Sequence, residues 1–271
     1  MVAKIKVVVN GAYGKMGRTA VQGILTDPQL ELVGAVGKTR GIGLDAGEAA
    51  GRAAVGVVIE DLLGECLQRV KPHVVVDFTN PAVVKDNIRT ILQFGAHAVV
   101  GTTGLTGDDI SPLQEWSREA GKNVLVAPNF ALGAVLMLEL ARRTAPFFPS
   151  MEIIEAHNPF KADAPSGTAI NTAEIMGAVR EGESEDSDVL SCQEKIPGVR
   201  GGELGGIRIH SIRLPGFVAH QQIIFGGLGQ TLTLRHDSIS RESFIPGILL
   251  AVKKIAEIKG VTYGFENLLD L

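Results

Sequence analysis

The sequence predicts an α/β fold in which a mainly parallel, doubly wound sheet occupies the first half of the chain. Three observations lead to this prediction. Strand-like and helix-like patterns alternate along the first half, a glycine-rich turn joins the first strand to the first helix, and consecutive strand patterns fill the second half. A second, α+β domain built on a mixed sheet is therefore expected after the first.

The first strand, turn and helix open the chain. Residues 5–9 form a β-branched apolar run, and after Asn10 the segment Gly11-Ala-Tyr-Gly-Lys-Met-Gly-Arg18 leads into a helical pattern. Glycines in such a turn allow a tight bend, close approach of the backbone to a pyrophosphate, and close packing of helix on strand. The G-x-x-G-x-x-G spacing is a variant of the dinucleotide-binding fingerprint and predicts a nucleotide site. A glycine-rich turn that binds no ligand is the alternative.

Five further strand patterns follow in the first half, at residues 31–36, 55–59, 73–78, 96–101 and 123–127. The ligands of a doubly wound sheet bind at the carboxyl ends of its strands. Residues at those ends are small or polar apart from Phe130, and we expect them to outline one crevice: Gly11 to Met16, Gly37, Lys38, Thr79, Asn80, Gly101 to Thr103 and Ala127 to Phe130.

The second half has a different pattern. A strand at residues 152–156 precedes a polar loop and a helix at residues 167–179. The stretch 180–206 is interpreted as a solvated loop because it carries Glu181, Glu183, Glu185, Asp186 and Asp188. Strand patterns at 208–214, 218–225 and 230–235 predict an antiparallel or mixed sheet, and a helical pattern at 242–259 is expected to return to the first domain.

Composition argues against several classes of function. The net charge is −4 without a Lys/Arg cluster, which disfavours nucleic acid or an anionic membrane as the main partner. Cys66 and Cys192 lack metal-ligand spacing and are interpreted as free thiols in a reducing compartment. The first apolar run is too short for an export signal or a membrane span. We expect a cytoplasmic protein, or a plastid stromal one after loss of a transit peptide, with no metal site.

The loop of residues 155–169 reads E-A-H-N-P-F-K-A-D-A-P-S-G-T-A and combines an imidazole, an ammonium group and a helix start. His157 is the natural proton donor because histidine ordinarily titrates near neutral pH. Lys161 offers a charge to a carboxylate, and the N–H groups of Gly167 and Thr168 can bind a second anion. The segment thus suits a small dianionic substrate that must be protonated. The alternative is a polar loop in which Ser166 merely caps a helix.

These motifs occur together with Asp77-Phe-Thr79, Gly101-Thr-Thr-Gly104 and Ala127-Pro-Asn-Phe130, and in this combination the chain resembles the 4-hydroxy-tetrahydrodipicolinate reductase family, formerly called dihydrodipicolinate reductase. The resemblance covers nearly the whole chain. It implies a Rossmann-like dinucleotide-binding domain at residues 1–128, a substrate-binding and oligomerisation domain at 129–236, and a C-terminal segment at 237–271 that returns to the first domain. It also implies a homotetramer joined through the mixed sheets.

The resemblance further implies an activity and the residues that serve it. Hydride from NADH or NADPH reduces a cyclic dicarboxylate, 4-hydroxy-tetrahydrodipicolinate, to 2,3,4,5-tetrahydrodipicolinate and water in lysine and diaminopimelate biosynthesis. His157 matches the proton donor, and Lys161 matches a lysine assigned to proton donation or substrate polarisation. Gly167 and Thr168 match the substrate-carboxylate site. The implied cofactor contacts are Gly11, Ala12, Tyr13, Gly14, Lys15, Met16, Gly101, Thr102, Thr103, Ala127, Pro128, Asn129 and Phe130.

Two departures from the family pattern concern Asn158 and Gly37. Many members have a second histidine where this chain has Asn158, so we expect a hydrogen bond to the substrate there, without a second proton carrier. Many also have an acidic residue in place of Gly37, which would repel a 2′-phosphate. Because Lys38 and Arg40 follow instead, we predict that NADPH is accepted at least as well as NADH, with Lys38 as the preferred contact.

Two other classes of protein share parts of this pattern. A nucleotide-binding regulatory homologue would keep the fold without turnover, but it would not need His157 beside Lys161. A dehydrogenase acting on an amino acid, such as aspartate or homoserine dehydrogenase, would share the opening turn but not the D-A-P-S-G-T segment. The remaining histidines in or beside strands are interpreted as packed or surface residues: His210, His220 and His236.

Overall fold

The computed structural model describes residues 3–179 and 193–269, which form two compact units. The first unit contains the described residues up to Leu132 and those from Arg241 onward. The second unit is Gly133–Ser240. Both divisions lie a few residues after the boundaries expected at 128 and 236.

The first unit is built on a seven-stranded sheet. Its strands are β1 (Ile5–Asn10), β2 (Leu30–Val36), β3 (Ile59–Glu60), β4 (Val74–Asp77), β5 (His97–Val100), β6 (Val124–Val126) and β12 (Val261–Tyr263), in the order β12-β6-β5-β4-β1-β2-β3. All neighbouring pairs are parallel. Its helices are α1 (Lys15–Thr26), α2 (Ala46–Ala49), α3 (Leu63–Val70), α4 (Val84–Gln93), α5 (Gly107–Ala120) and α8 (Ile245–Lys254). The predicted doubly wound sheet is confirmed.

Valine-rich strands form the core of this unit. The side chains of Val7, Val8 and Val9 on β1 are fully buried, as expected for a central parallel strand covered on both faces. Ile88 and Ile91 on α4 pack into a hydrophobic cluster that also contains Val8. The loops at the carboxyl ends of β1 and β4 therefore start from a well-packed sheet edge.

The strand predicted at residues 55–59 is wrong except at its end, where β3 begins at Ile59. The N–H groups of Val55 and Gly56 donate to the carboxyl group of Asp45, over 3.1 and 2.7 Å, and so do not join a ladder. Gly56 also has a φ of +74°, which an extended strand does not allow. Local side chain–backbone hydrogen bonds have replaced strand pairing here.

The C-terminal helical pattern is shorter than predicted. A 3₁₀ turn at Arg241–Phe244 precedes α8, which has Pro246 in its first turn, where a missing N–H costs nothing. After α8 the chain adds β12 beside β6 at the edge of the sheet. This strand was not predicted, because its three residues form no buried apolar run and Tyr263 is half exposed.

The second unit contains a five-stranded sheet. Its strands are β7 (Ser150–His157), β8 (Gly202–Leu204), β9 (Ile207–Arg213), β10 (Ala219–Gly227) and β11 (Gln230–Ser238), in the order β11-β10-β7-β9-β8. Because β7 and β9 are parallel and the other pairs antiparallel, the predicted mixed sheet is confirmed. Two helices, α6 (Leu132–Thr144) and α7 (Gly167–Ala178), share a buried cluster with one face of the sheet, including Met137, Met176, Ile153 and Phe225.

Part of the polar stretch 180–206 is a strand and not a loop. β8 pairs antiparallel with β9, but all three of its residues are exposed, so no apolar alternation marked it in the sequence. The acidic residues noted in this stretch lie outside the described residues: Glu181, Glu183, Glu185, Asp186 and Asp188.

Of the two cysteines, Cys66 lies within the described residues. Cys66 is a buried free thiol on α3, and burial raises its pKa to about 11. Cys192 lies outside the described residues. Within residues 3–179 and 193–269, no helix is long and apolar enough to cross a membrane, and no three His, Cys, Asp or Glu side chains gather as metal ligands.

Candidate active site

The glycine turn between β1 and α1 has a separate steric reason for each of its outer glycines. Gly11 has a φ of +81°, and a Cβ there would lie 2.3 Å from the carbonyl oxygen of Phe78. A Cβ on Gly17 would lie 2.0 Å from the carbonyl oxygen of Gly11. The middle glycine, Gly14, is the N-cap of α1 and has no side chain to cap the helix. The first N–H groups of α1 are therefore left for an anion.

A cleft of about 620 Å³ opens beside this turn. Five predicted cofactor residues line it: Gly11, Tyr13, Gly14, Lys15 and Lys38. Arg18 and Arg40 also line the cleft. The guanidinium carbon of Arg18 lies 5.5 Å from the centre of the Tyr13 ring. The cleft thus combines glycine backbone with four cationic side chains against one carboxylate, that of Asp61, and this excess of positive charge suits phosphates.

A buried hydrogen-bond network on Asp77 holds the strand ends behind the cleft. The carboxyl group of Asp77 is fully buried and accepts hydrogen bonds from the amides of Asn10 and Asn87, over 2.8 and 2.9 Å. It also accepts from the hydroxyl groups of Thr79 and Thr102, over 2.7 and 2.8 Å. The ends of β1, β4 and β5 are tied to one side chain in this way.

Several residues predicted to contact the cofactor do not line the cleft, and some of them are buried in contacts with other side chains. Thr102 is engaged by Asp77, and Ala12 is buried. The ring of Phe130 packs edge-on against Phe78 and Phe265, with centroids 5.7 and 5.8 Å away. The predicted residues outside the described lining of the cleft are Ala12, Met16, Gly101, Thr102, Thr103, Ala127, Pro128, Asn129 and Phe130.

In the second unit, the end of β7 carries the predicted proton donor. His157 Nδ1 lies 2.5 Å from Oε2 of Glu155, whose side chain is completely buried. Arg213 on β9 holds the same carboxyl group with two hydrogen bonds, of 2.8 and 3.0 Å. Burial tends to raise the pKa of Glu155, but hydrogen bonds from Arg213, Ser211 and His157 lower it below its ordinary value. Glu155 is therefore an ionised acceptor beneath the imidazole.

Lys161 and Asn158 are both held within the loop after β7. Lys161 Nζ donates to both carboxyl oxygens of Asp163, over 2.7 and 2.9 Å, and Asp163 is well exposed. Asn158 Oδ1 accepts from the N–H of Phe160 over 3.0 Å, which is an Asx turn. Because the side-chain oxygen of Asn158 is engaged in this turn, the amide nitrogen is the atom expected to contact the substrate.

The loop ends at α7, whose first turn is partly capped. Ser166 Oγ accepts from the N–H of Ala169 over 3.2 Å, and both residues are buried. Gly167 and Thr168 are exposed at the N-terminus of this helix. Their N–H groups have no acceptor within the helix, as for the first residues of any α-helix, so they can bind a carboxylate.

The chain matches two family models that together span nearly its whole length. Residues 5–130 match dihydrodipicolinate reductase, N-terminus, and residues 133–269 match dihydrodipicolinate reductase, C-terminus. The chain belongs to the dihydrodipicolinate reductase family. The resemblance inferred from the sequence is confirmed.

Relatives and solved structures agree with this membership. The 4-hydroxy-tetrahydrodipicolinate reductase of Moorella thermoacetica is 46% identical over 270 residues, with 100% of both chains covered. That of Trichormus variabilis is 45% identical and covers 98% of this chain and 99% of its own. A dipicolinate-bound dihydrodipicolinate reductase from Paenisporosarcina sp. TG-14 has a TM-score of 0.86 at 39% identity, covering 98% of this chain and 100% of its own. An amine dehydrogenase from Mycobacterium smegmatis, at 17% identity and a TM-score of 0.68, shares the fold alone.

Sequence reasoning missed three features of this family member. Asp77 was noted only as part of a motif, although a polar residue at the end of an apolar run was a usable signal. Arg18 was visible one residue after the last turn glycine but was not assigned to the cleft. Arg213 had no local signal, because its partner Glu155 is far away in sequence and only strand pairing brings them together.

The three histidines interpreted as packed or surface residues lie in the second unit, and each has contacts outside the loop that follows His157. His210 Nε2 pairs with Glu152 over 2.7 Å, and His220 Nδ1 pairs with Asp237 over 2.6 Å. His236 packs against Gly133, where a Cβ would lie 2.4 Å from its ring.

Proposed function

We propose that this chain reduces 4-hydroxy-tetrahydrodipicolinate to 2,3,4,5-tetrahydrodipicolinate and water in lysine and diaminopimelate biosynthesis, with NADPH or NADH as the cofactor. One observation carries the proposal. His157 is hydrogen-bonded to a buried carboxylate and followed in the same loop by Lys161, in a chain that aligns end to end with named 4-hydroxy-tetrahydrodipicolinate reductases. An acid beside a cation is what protonation of a dicarboxylate requires.

The first unit fits a dinucleotide. The space that a Cβ would fill at Gly11 and Gly17 is occupied by backbone, so the turn stays tight, and Gly14 leaves the helix N-terminus open. Gly14 and Lys15 would hold the pyrophosphate, and Lys38 with Arg40 would meet a 2′-phosphate. When bound, the nicotinamide cofactor supplies the hydride. No acidic side chain stands at Gly37 to repel the phosphate, which supports acceptance of NADPH at least as well as NADH.

His157 supplies the proton that the substrate takes up on reduction. Burial lowers the pKa of His157, against the raising effect of Glu155, so the free protein favours the neutral ring at neutral pH. A dicarboxylate bound beside the ring raises that pKa and favours the imidazolium that donates. Because Nδ1 faces Glu155, the proton leaves from Nε2. We expect kcat/KM to fall as pH rises through the pKa of His157, since only the charged ring can donate.

The substrate carboxylates are bound by Lys161 and by the start of α7. Lys161 is paired with Asp163, but that carboxylate is exposed and its ion pair is weakened by solvent, so a substrate carboxylate can compete for the ammonium group. The N–H groups of Gly167 and Thr168 take the other carboxylate. The amide nitrogen of Asn158 adds a hydrogen bond, without a second proton carrier.

We also propose that the protein is a cytoplasmic homotetramer joined through the five-stranded sheets. The helices α6 and α7 pack on one face of the sheet, while Ile154, Ile212 and Ile224 alternate onto the other. Light scattering should give about four times the chain mass of 28.6 kDa. A monomer at micromolar concentration would contradict the tetramer.

A coupled assay tests the activity. Freshly generated substrate and NADPH should give loss of NADPH absorbance with the wild type, and His157→Gln and Lys161→Ala should each lower kcat by about 10²-fold or more with cofactor KM unchanged. Lys259→Ala, at an exposed lysine of the first unit, is the charge-removal control. Cofactor binding without any turnover by the wild type would instead identify a regulatory homologue.

A further inference from the structure

The buried carboxyl group of Glu155 has three polar partners, Arg213, Ser211 and His157. Arg213 Nη1 donates to Oε2 over 3.0 Å and Nη2 donates to Oε1 over 2.8 Å, while the His157 ring nitrogen Nδ1 lies 2.5 Å from Oε2. The side chain of Glu155 is wholly inaccessible, and that of Arg213 is 19% exposed. A buried carboxylate with an arginine fork is ionised, and it can only accept hydrogen bonds. The shared proton therefore lies on His157 Nδ1.

This contact determines which nitrogen of His157 can exchange a proton with a ligand. A neutral histidine carries its proton on one nitrogen, and the partner of that nitrogen selects it. With Nδ1–H donated to Glu155, Nε2 is the atom that takes up and releases the catalytic proton. The negative charge on Glu155 also raises the pKa of the ring, which burial and the positive charges of Lys161 and Arg213 lower.

Arg213 extends the same contacts to the loop of Lys161. Its Nη2 donates to the carbonyl oxygen of Asp163 over 2.8 Å in addition to Glu155, and the carboxyl group of Asp163 holds Lys161. Strand register makes this possible, because β7 and β9 are parallel and Arg213 is paired directly with His157. One guanidinium group thus links the base of the imidazole to the backbone beside the ammonium group.

We propose that Glu155 and Arg213 are positioning residues for the reduction: Glu155 holds His157 as the Nδ1–H tautomer with Nε2 as the donor, and Arg213 holds both Glu155 and the Lys161 loop. This inference rests on the proposed function for its catalytic consequence. A buried ion pair that only supports the sheet would stabilise the fold without affecting the titration of His157.

The sheet contains a matched control for Glu155. Glu152 lies on the same strand, on the opposite face, and it also pairs with a histidine and an arginine: His210 and Arg200. Glu152→Gln removes the same kind of charge from the same strand. It should leave the tautomer and the pKa of His157 as they are in the wild type.

The first experiment measures the imidazole itself, by nitrogen NMR of the histidine rings in the whole protein without ligands. We expect the Nδ1–H tautomer for His157 in the wild type and in Glu152→Gln. In Glu155→Gln we expect a mixture of tautomers and a lower pKa, because the negative charge that raises the pKa is gone. If Glu155→Gln fails to fold, the double variant Glu155→Gln/Arg213→Gln removes both charges and is measured instead, with the mixture of tautomers alone as its readout, because the two charges act on the pKa of His157 in opposite directions. A wild-type tautomer and pKa in the folded variant would overturn the proposal.

The second experiment measures kinetics with the same variants. Glu155→Gln should lower kcat by about 10- to 100-fold, the range typical for loss of the carboxylate that orients a metal-binding histidine, because the geometric role of the carboxylate is the same here. Its kcat/KM should decline at lower pH than in the wild type, while the KM for NADPH stays unchanged. Glu155→Asp keeps the charge and should recover the pH profile. Arg213→Lys keeps the positive charge but loses the link to Asp163, so we expect mainly a higher substrate KM.

The NMR and kinetic experiments together distinguish the proposed function from the positioning role of Glu155 and Arg213. A wild type that reduces no substrate would refute the proposed function, whatever the NMR result. An active wild type whose Glu155→Gln variant keeps kcat, pH profile and tautomer would refute the positioning role alone.

Discussion

Replacing Gly17 by alanine tests whether close packing of α1 on the glycine turn builds the cofactor site. A Cβ on Gly17 would lie 2.0 Å from the carbonyl oxygen of Gly11, 2.7 Å from its carbonyl carbon and 2.8 Å from Cα of Ala12. All three atoms are backbone, so no side chain can rotate away. The helix would have to retreat by roughly 1 to 1.5 Å to reach an ordinary van der Waals contact.

The magnitude follows from two opposing effects. Overpacking of this kind costs about 1 to 3 kcal/mol, and alanine regains up to about 1 kcal/mol over glycine inside a helix. We expect a modest net loss of stability. Retreat of the helix N-terminus should also weaken at least one charge-assisted hydrogen bond to the pyrophosphate, of about 1.5 to 3 kcal/mol, so the Kd for NADPH should rise about tenfold or more.

The assay is a fluorescence titration with NADPH, together with urea unfolding, and α1 contains its own control. Gly23 is also buried on α1, six residues after Gly17, and a Cβ there would meet Cγ2 of the Ile245 side chain at 2.7 Å and not the backbone of the glycine turn. Gly23→Ala should therefore keep NADPH affinity within about twofold. Equal NADPH affinities for Gly17→Ala and the wild type would refute the reasoning, as would equal losses in both variants.

Three further predictions concern single side chains. Lys38→Ala should weaken NADPH more than NADH in steady-state kcat/KM, and a wild-type preference for NADH above about tenfold, or 1.4 kcal/mol, would contradict the predicted phosphate contact. Thr168→Val keeps the backbone donors but loses a hydroxyl, so substrate KM should rise through loss of about 1.5 to 3 kcal/mol; an unchanged KM would place the carboxylate elsewhere. Asp77→Asn replaces one of two acceptor oxygens by an NH2 group, so that this group faces either the amides of Asn10 and Asn87 or the N–H of Thr79. This should cost about 1 to 3 kcal/mol in urea unfolding; wild-type stability would show that the network is dispensable.

Local sequence signals were sufficient for most of the strands. The pattern at residues 31–36 lies within β2, and the first strand ends at Asn10, one residue beyond the predicted run. Such runs are recognisable because a strand buried on both faces is apolar at every position. The strand expected at 55–59 failed because Asp45, ten residues earlier, takes the N–H groups that a ladder would need. A pattern of apolar residues does not reveal that a side chain competes with a neighbouring strand for backbone N–H groups.

The sequence by itself determined the α/β class, the glycine turn and the family, because each depends on residues close together in the chain. The glycine spacing over residues 11–17 and the succession of His157 and Lys161 are local properties of this kind. Only the tertiary structure decided what lies beneath the imidazole. Parallel pairing of β7 with β9 places Arg213 against Glu155, and strand register between distant segments arises from packing of the whole sheet, which no short pattern encodes.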